Sequence, residues 1–325
     1  MYSCFLDASK AFDKVNHWTL FRKLLNRGVP VVLIRILLYW YRTQTFCVKW
    51  GCTTSEFFNV SNGVRQGGIL SPYLFIVYID DLSNMLNSAG IGCHIHNYCT
   101  NHVFYADDIC VIAPSPSGLQ RLLNICAKFG FENDVEYNPI KSLCMVFKPR
   151  GFNLKCPDMY MNLNKLAYVK EAKYLGVIIC NDLKDDGDIL RHLRNFYARS
   201  NSIIRKFHHC SVGVKLHLFH AYCCTTYCCQ LWVNFNKGSY LKAKVAYNNM
   251  HRRILGYSRW DSASGMFADN AIDTFDALLR KNIYGFKRRI FNINNDFIRV
   301  MYNCFEIVNG PMWISWANSL YTVNL

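Results

Sequence analysis

The chain has 325 residues, 51% hydrophobic and 15% aromatic, which supplies a large core or two domains of ordinary size and excludes a disordered protein. With 37 Lys and Arg against 22 Asp and Glu, the net charge of +15 favours a polyanionic partner, either nucleic acid or an anionic membrane surface. The 16 cysteines show no repeating framework and no charged-then-apolar leader precedes them, so reduced thiols in an intracellular, non-secreted protein are expected, not a disulfide scaffold.

Residues 2–6, "YSCFL", form an apolar run that predicts a strand ending at Asp7. Phe12, Leu20, Leu24 and Leu25 then follow a helical pattern up to the stop signal "RGVP". A second apolar helix is predicted over 31–41, and "TFCVKW" and "SEFFNV" around the turn "GCTT" predict a hairpin. In "SNGVRQGGILSPYLFIVYIDDLSNML" the glycines forbid regular structure at the start, and Pro72 is placed to open a helix with Ser71 as its cap. The apolar runs "VPVVLI" and 67–79 fall short of the ~18 uninterrupted residues of a membrane span.

From Ile91 to Ala113 the pattern is of short strands interrupted at "ADD", which puts the two aspartates at a hairpin tip. Leu119, Leu122, Leu123, Cys126 and Ala127 recur at helical spacing until Gly130, expected to end that helix. The stretch "NPIKSLCMVF" reads as a turn entering a strand, and "KYLGVII" at 173–179 as a further strand. Hairpins mixed with helices, without regular βαβ alternation, predict an α+β domain. Beyond Asp182, helices are predicted over 188–209, 214–235, 239–256 and 274–291, several with a basic face such as Arg191, Arg194, Arg199, Arg205 and Lys206. A boundary at "DLKDDG" gives domains 1–183 and 184–325.

Three Asp-Asp pairs occur in the chain. Asp80 and Asp81 fall in the helix that Pro72 opens, away from the stripe of Leu74, Phe75, Tyr78, Ile79 and Leu82, and predict a solvated face. Asp185 and Asp186 lie in a polar linker, where acidic residues stand in water or cap a helix. Asp107 and Asp108 are held by apolar strands on both sides, and their repulsion needs a cation or a proton to relieve it. Mg²⁺ answers that need, since it takes one or two carboxylates plus waters and phosphates, and two such ions about 3.5–4 Å apart serve phosphoryl transfer. Two ions require a further carboxylate, and Asp7 at the end of its own strand is the best placed. Asp7 reads equally as a cap for "ASKAF", and the pair equally as an Asx-type turn.

Taken in order, "FLDASKAFDKVNH", "NGVRQGGILSPYLF", "FYADDICV", "EYNPIKSLCMVF" and "KYLGVII" resemble the reverse transcriptases of non-LTR, LINE-type, Jockey-like retrotransposons over about half the chain. The resemblance implies a right-hand polymerase: an α+β palm of antiparallel sheet and packed helices in 1–183, a fingers remnant at about 18–61, and a helical thumb and C-terminal region in 184–325. It implies DNA synthesis templated by RNA, in which a primer 3′-hydroxyl attacks the α-phosphate of a deoxynucleotide, with Mg²⁺ or Mn²⁺ as cofactor. The implied partners are an RNA template, a DNA primer and dNTP, with no membrane.

Carried over residue by residue, Asp7 and Asp107 are the carboxylates that hold both ions, and Asp108 is the less essential neighbour. Lys141 in "NPIKS" matches a lysine near the triphosphate, able to protonate or stabilise the leaving pyrophosphate. Phe12 matches the aromatic that packs on the deoxyribose and excludes a 2′-hydroxyl. Arg65, Gln66 and Gly67 match the segment that meets nucleotide and template. Tyr174, Leu175 and Gly176 match the strand that supports the primer end. A core position for Phe12, a surface lysine for Lys141 and an ordinary buried strand for 174–176 are the plain alternatives.

The stretch "AYNNMHRRILGYSRWDSASGMF" at 246–267 resembles the thumb and downstream region, with Arg252, Arg253, Arg288 and Arg289 as expected phosphate contacts and Trp260 as a stacking group. "CCTTYCC" at 223–229 lacks the two-residue gap of a zinc knuckle, so core thiols and no structural zinc are expected. The family places a fingers segment ahead of the first strand, and Met1 stands six residues before Asp7, so a chain truncated at its N-terminus is expected. Loss of the phosphate grip would lower the rate by about 10³–10⁵. The other readings are a nucleic-acid-binding protein that keeps the fold without the chemistry, and a degenerate retroelement fragment.

Overall fold

The first strand, β1 (Tyr2–Asp7), is buried along most of its length, because "YSCFL" carries apolar or small side chains on both faces. Such a strand belongs at the centre of a sheet. In the computed structural model, which describes residues 1–148, 156–224, 226–304, 307, 309, 310, 312–314, 316 and 317, it takes that place. Its partners are β2 (His102–Tyr105), β3 (Asp108–Ala113), β4 (Leu143–Val146) and β5 (Ala167–Tyr168), in the order β5-β4-β1-β3-β2. Every pairing is antiparallel except β4 with β5.

Four helices cover this sheet: α1 (His17–Asn26), α2 (Val31–Thr43), α3 (Ser71–Ser88) and α4 (Pro116–Glu132). Asn16 caps α1 by accepting from Thr19 N at 3.1 Å, and Ser115 caps α4 by accepting from Gly118 N at 3.1 Å. Helix α4 lies on β1 and β3, α3 on α4, and α1 on α3. Leu20, Phe75, Tyr78, Leu82, Ile109, Val111, Leu119, Leu122 and Phe129 fill the core between them. The predicted hairpin after α2 forms, with Thr45 opposite Asn59 and Trp50 opposite Thr53.

Local expectations change in four places within this unit. Phe12 stands in a series of turns before α1, not in the helix, because Lys10 at φ 50° interrupts any helical path from β1. Helix α4 runs through Gly130 to Glu132, and the reversal comes at Asp134, where φ is 55°. Ser71 is buried and donates from Oγ to Arg65 O at 2.5 Å, so it fastens the preceding loop and does not cap α3. Asp80 and Asp81 are not merely solvated: they pair with Arg27 at 2.5 Å and with the buried Lys23 at 2.8 Å.

Contacts divide the chain into two compact units, Met1–Lys170 and Glu171–Leu325. The expected boundary at 183–184 differs by one hairpin. The stretch "YLGVII" is not a single strand but the pair β6 (Glu171–Tyr174) and β7 (Val177–Cys180), which packs on α5 (Asp186–Lys206) and so belongs to the second unit. Leu175 and Gly176 form its turn with φ of 47° and 78°, the two left-handed positions that a two-residue hairpin requires.

The second unit continues with α6 (Val212–Tyr222), α7 (Lys237–Leu255), α8 (Ala263–Asp269), α9 (Phe275–Asn292) and α10 (Asp296–Asn303). The helix predicted to 235 stops at Tyr222. Phe219 O accepts from both Cys223 N and Cys224 N to close it, and Cys228, at φ 61°, turns the chain back. Trp232 Nε1 then donates to the buried Asp188 at 2.9 Å, and Val233 N and Asn234 N donate to Asp185, each at 2.7 Å. Ile189, Phe196, Phe219, Tyr247, Met250, Phe267 and Phe275 make this unit's own core. Among the described residues, no helix is long and apolar enough to cross a membrane.

Candidate active site

The register of the central sheet brings the expected carboxylates together. Pairing of β1 with β3 runs from Tyr2 opposite Ala113 to Asp7 opposite Asp108, so those two aspartates are cross-strand partners at one end of the sheet. Partners in such a pair project to the same face, with Cβ atoms about 4.5–5.5 Å apart. On the other side of β3, Tyr105 pairs with Asp108, which leaves Ala106 and Asp107 as the two residues of the β2–β3 turn. Ala106 takes φ 53° there. Asp7 and Asp107 are half-buried and Asp108 is more exposed. Burial, with the negative charges of Asp107 and Asp7 added to it, raises the Asp108 carboxyl above the ordinary carboxylate range.

Lys141 reaches this group from the turn before β4. Asn138 builds the turn, its Oδ1 accepting from Ile140 N at 3.0 Å and Lys141 N at 3.3 Å. The turn is fastened to the end of β1: Asn138 N donates to Asp7 O at 2.8 Å, and Asp7 N donates to Ser142 Oγ at 3.2 Å. Lys141 Nζ consequently stands 3.8 Å from Asp7 Oδ2, with two thirds of its side chain exposed (67%). The turn itself is legible in "NPIKS", but the ties of Asn138 and Ser142 to Asp7, more than 130 residues away, are not.

Phe12 is half-buried and stacks on Phe75, with ring centroids 4.7 Å apart and planes 18° from parallel. The loop before α3 is tied to the same segment, since Val64 N donates to Phe12 O and Gly63 N to Val15 O, each at 2.7 Å. Position 63 admits only glycine: φ is 92° and a Cβ would come 2.7 Å from Asp13 O. Arg65, Gln66 and Gly67 are exposed on this loop, and Gln66 Nε2 donates to Asp13 Oδ1 at 2.8 Å. Asp13, Gln44, Phe46, Asn62, Arg65 and Gln66 line an open cleft of about 430 Å³.

Tyr174, Leu175 and Gly176 lie in the second unit at the tip of the β6–β7 hairpin. Tyr227 Oη donates to Leu175 O at 3.0 Å, and its ring leaves 3.2 Å for any Cβ at Gly176. Several basic residues expected on open faces are engaged locally. Arg191 pairs with Asp188 at 2.7 Å, Arg199 donates to Tyr222 O, Arg252 donates to Asp261 O and Arg253 to Asn201. Trp260 is 86% exposed beside Arg259.

Asp7, Asp107 and Asp108 offer the donor type that a divalent cation takes, although among the described residues their carboxylate oxygens do not all lie within 4.8 Å of one another. Three carboxylates offer hard oxygens, and the upward pressure on Asp108 from its neighbours' charge is what such an ion relieves.

Residues 2–179 match the family model described as "Reverse transcriptase (RNA-dependent DNA polymerase)". The Pol polyprotein of the type-2 retrotransposable element R2DM of Drosophila melanogaster is 29% identical over 237 residues, covering 65% of this chain and 22% of its own length. The RNA-directed DNA polymerase from mobile element jockey of Drosophila funebris is 30% identical, covering 56% and 20%. The probable RNA-directed DNA polymerase from transposon X-element of Drosophila melanogaster is 26% identical, covering 79% and 28%. The chain thus spans between 20% and 28% of the length of these relatives. With more than half of its residues inside that family model, and the three aspartates within the matched segment, the chain belongs to the reverse transcriptase family.

Proposed function

We propose that this chain is the palm and thumb portion of a retrotransposon RNA-directed DNA polymerase, extending a DNA primer on an RNA template from deoxynucleoside triphosphates. The observation that carries the reading is the pairing of Asp7 with Asp108 across β1 and β3, with Asp107 in the adjoining turn, inside the segment that matches the family. Asp7 and Asp107 would hold divalent cations, Mg²⁺ foremost, with Asp108 beside them. Bound there, such ions supply the positive charge that the anionic transition state of phosphoryl transfer needs.

The remaining roles fall to the chain's own side chains. Lys141, exposed and anchored by the Asn138 turn, is placed to donate a proton to the departing pyrophosphate. Phe12, held flat against Phe75, offers a rigid face to the sugar, where a 2′-hydroxyl would clash. Arg65 and Gln66 border the cleft on the same loop and are available to nucleotide and template. The hairpin tip at 174–176 is assigned to the primer end, and the net charge of +15 to the nucleic-acid backbone. Met1–Lys170 is accordingly read as palm with a fingers remnant, and Glu171–Leu325, which opens with the β6–β7 hairpin, as thumb and C-terminal region.

The test is primer extension on RNA with Mg²⁺ and deoxynucleotides. Extension by the chain, lost in Asp107→Ala and in Asp7→Ala, is the expected result; extension that survives Asp107→Ala overturns the assigned site. Salt-dependent RNA binding, indifferent to Asp7→Ala and without extension in any divalent metal, would instead make this a binding module on a polymerase fold.

A further inference from the structure

The second unit holds a cluster of ligand atoms that the proposed polymerase chemistry does not use. His220 on α6, Cys224 just past the end of α6 and His251 on α7 each place one ligand atom within 4.8 Å of the others, and among the described residues they are the one such group of three. His220 sits in the last turn of α6 and Cys224 two residues past its end. Packing of α6 against α7 supplies the third.

His251 is fully buried, at 0% exposure, and its Nδ1 lies 3.0 Å from Tyr247 O. A carbonyl only accepts, so Nδ1 carries the hydrogen and Nε2 keeps a lone pair. That Nε2 is buried without a hydrogen-bond partner. A carbonyl bound to Nδ1–H fixes the tautomer and orientation that suit a metal-ligating imidazole, and the buried Nε2 is the unusual feature. Tyr247, Phe219 and Phe267 hold the ring, with centroids at 4.3, 4.8 and 5.2 Å. Cys224 is half-buried, and the exposed His220 leaves a way in from solvent.

We propose that His220, Cys224 and His251 bind one Zn²⁺ through two imidazole nitrogens and a thiolate, with the fourth tetrahedral position open to water or an external ligand. The thiol proton leaves to solvent when the ion binds. Two nitrogens and one sulfur suit a borderline-soft ion and not hard Mg²⁺, so the site selects a different metal from the aspartates. Zn–N bonds of about 2.0–2.1 Å and a Zn–S bond of about 2.3 Å set the donors roughly 3.3–3.6 Å apart in a tetrahedron. Closing from at most 4.8 Å is a rotamer-sized movement for an exposed histidine. The sequence spacing of "CCTTYCC" argued against zinc because it weighed thiols alone. One of those cysteines joins two histidines that the spacing could not bring in, and Thr225 of that stretch lies outside the described residues.

The proposal is independent of the polymerase reading. The full chain, freed of metal with a chelator, is titrated with Co²⁺ as a spectroscopic stand-in and then with Zn²⁺. One equivalent of Co²⁺ giving tetrahedral ligand-field bands and a thiolate-to-cobalt charge-transfer band, both displaced by Zn²⁺, is expected. Cys224→Ser should remove the charge-transfer band, and His220→Ala, an exposed position, should weaken binding at least about tenfold. Zn²⁺ should also raise the melting temperature of the parent chain and not of His220→Ala, whose metal-free melting should match the metal-free parent. Absence of the bands, or bands unchanged in both variants because other cysteines hold the ion, overturns the proposal.

Discussion

The same dipeptide, Asp-Asp, occurs at the β2–β3 turn and at the start of α5, and its surroundings make it two different objects. At the start of α5 the charge is consumed. Asp185 accepts from Val233 N and Asn234 N, Asp186 accepts from Asn236, and the nearby Asp188 accepts from Ile178 N, Arg191 and Trp232. These carboxylates tie the chain back on itself. At the β2–β3 turn, Asp108 stands opposite a third carboxylate, Asp7, with Asp107 next to it in the turn, and Lys141 lies 3.8 Å from Asp7. At the start of α5 backbone donors bind the carboxylates into the fold, while at the β2–β3 turn strand register sets carboxylate beside carboxylate; the dipeptide alone does not tell the two apart.

Substitutions at the two places should therefore separate activity from stability. Asp107→Ala should lower primer extension by at least about 10²–10³, the scale of losing one transition-state charge partner, while changing stability by no more than about 0.5 kcal/mol. Asp188→Ala should do the reverse. It strands a partly buried Arg191 and the buried Trp232 indole and should cost about 3 kcal/mol in urea unfolding of the second unit. Amide-exchange protection in Met1–Lys170 should hardly change. A large stability loss in Asp107→Ala, or none in Asp188→Ala, would erase the contrast.

Acid sharpens the comparison within the second unit. Burial, and after it the charge of Arg191, pushes His192 down to about 4, so the folded unit keeps it neutral where the unfolded chain protonates it near 6.5. The unfolded state then binds more protons between those values, so stability is fully present above about pH 6.5 and falls as pH drops towards 4. The loss amounts to up to about 3 kcal/mol. Denaturant midpoints measured across that range should fall less steeply in His192→Phe, a ring that can keep the edge contact with Trp232, while His251, which burial likewise pushes down to about 4, keeps the remainder. The smallest effect is expected at Lys141→Ala, which breaks an exposed 3.8 Å pair and should shift thermal stability by about 0–1 kcal/mol while slowing extension. A melting curve and a rate measured on the same preparation separate the two.

Much of the first unit was legible because its signals are local. The apolar runs at "YSCFL" and "DICVIA" mark the strands, Leu119, Leu122, Leu123 and Cys126 mark α4, and "ADD" between apolar strands is a hairpin tip in sequence and in structure. What escaped depended on partners far along the chain. Asp80 and Asp81 look solvated until α1 brings Lys23 and Arg27 to them. The end of α6 at Tyr222 is fixed by what Trp232 and Asn234 reach on α5, which no window around "CCTTYCC" contains. "YLGVII" reads as one strand by its apolar run, yet its Leu-Gly is the two-residue turn of a hairpin.

Ala106 occupies a left-handed backbone conformation at the turn that carries Asp107. For an alanine that conformation costs about 1–2 kcal/mol, and glycine would remove most of the cost. Glycine would also widen the range of backbone angles open to its neighbour. The turn thus trades stability for directional precision: a Cβ with no hydrogen-bonding ability narrows the orientations of the carboxylate beside it, and Ala106→Gly should yield a chain that melts higher and holds Asp107 less well.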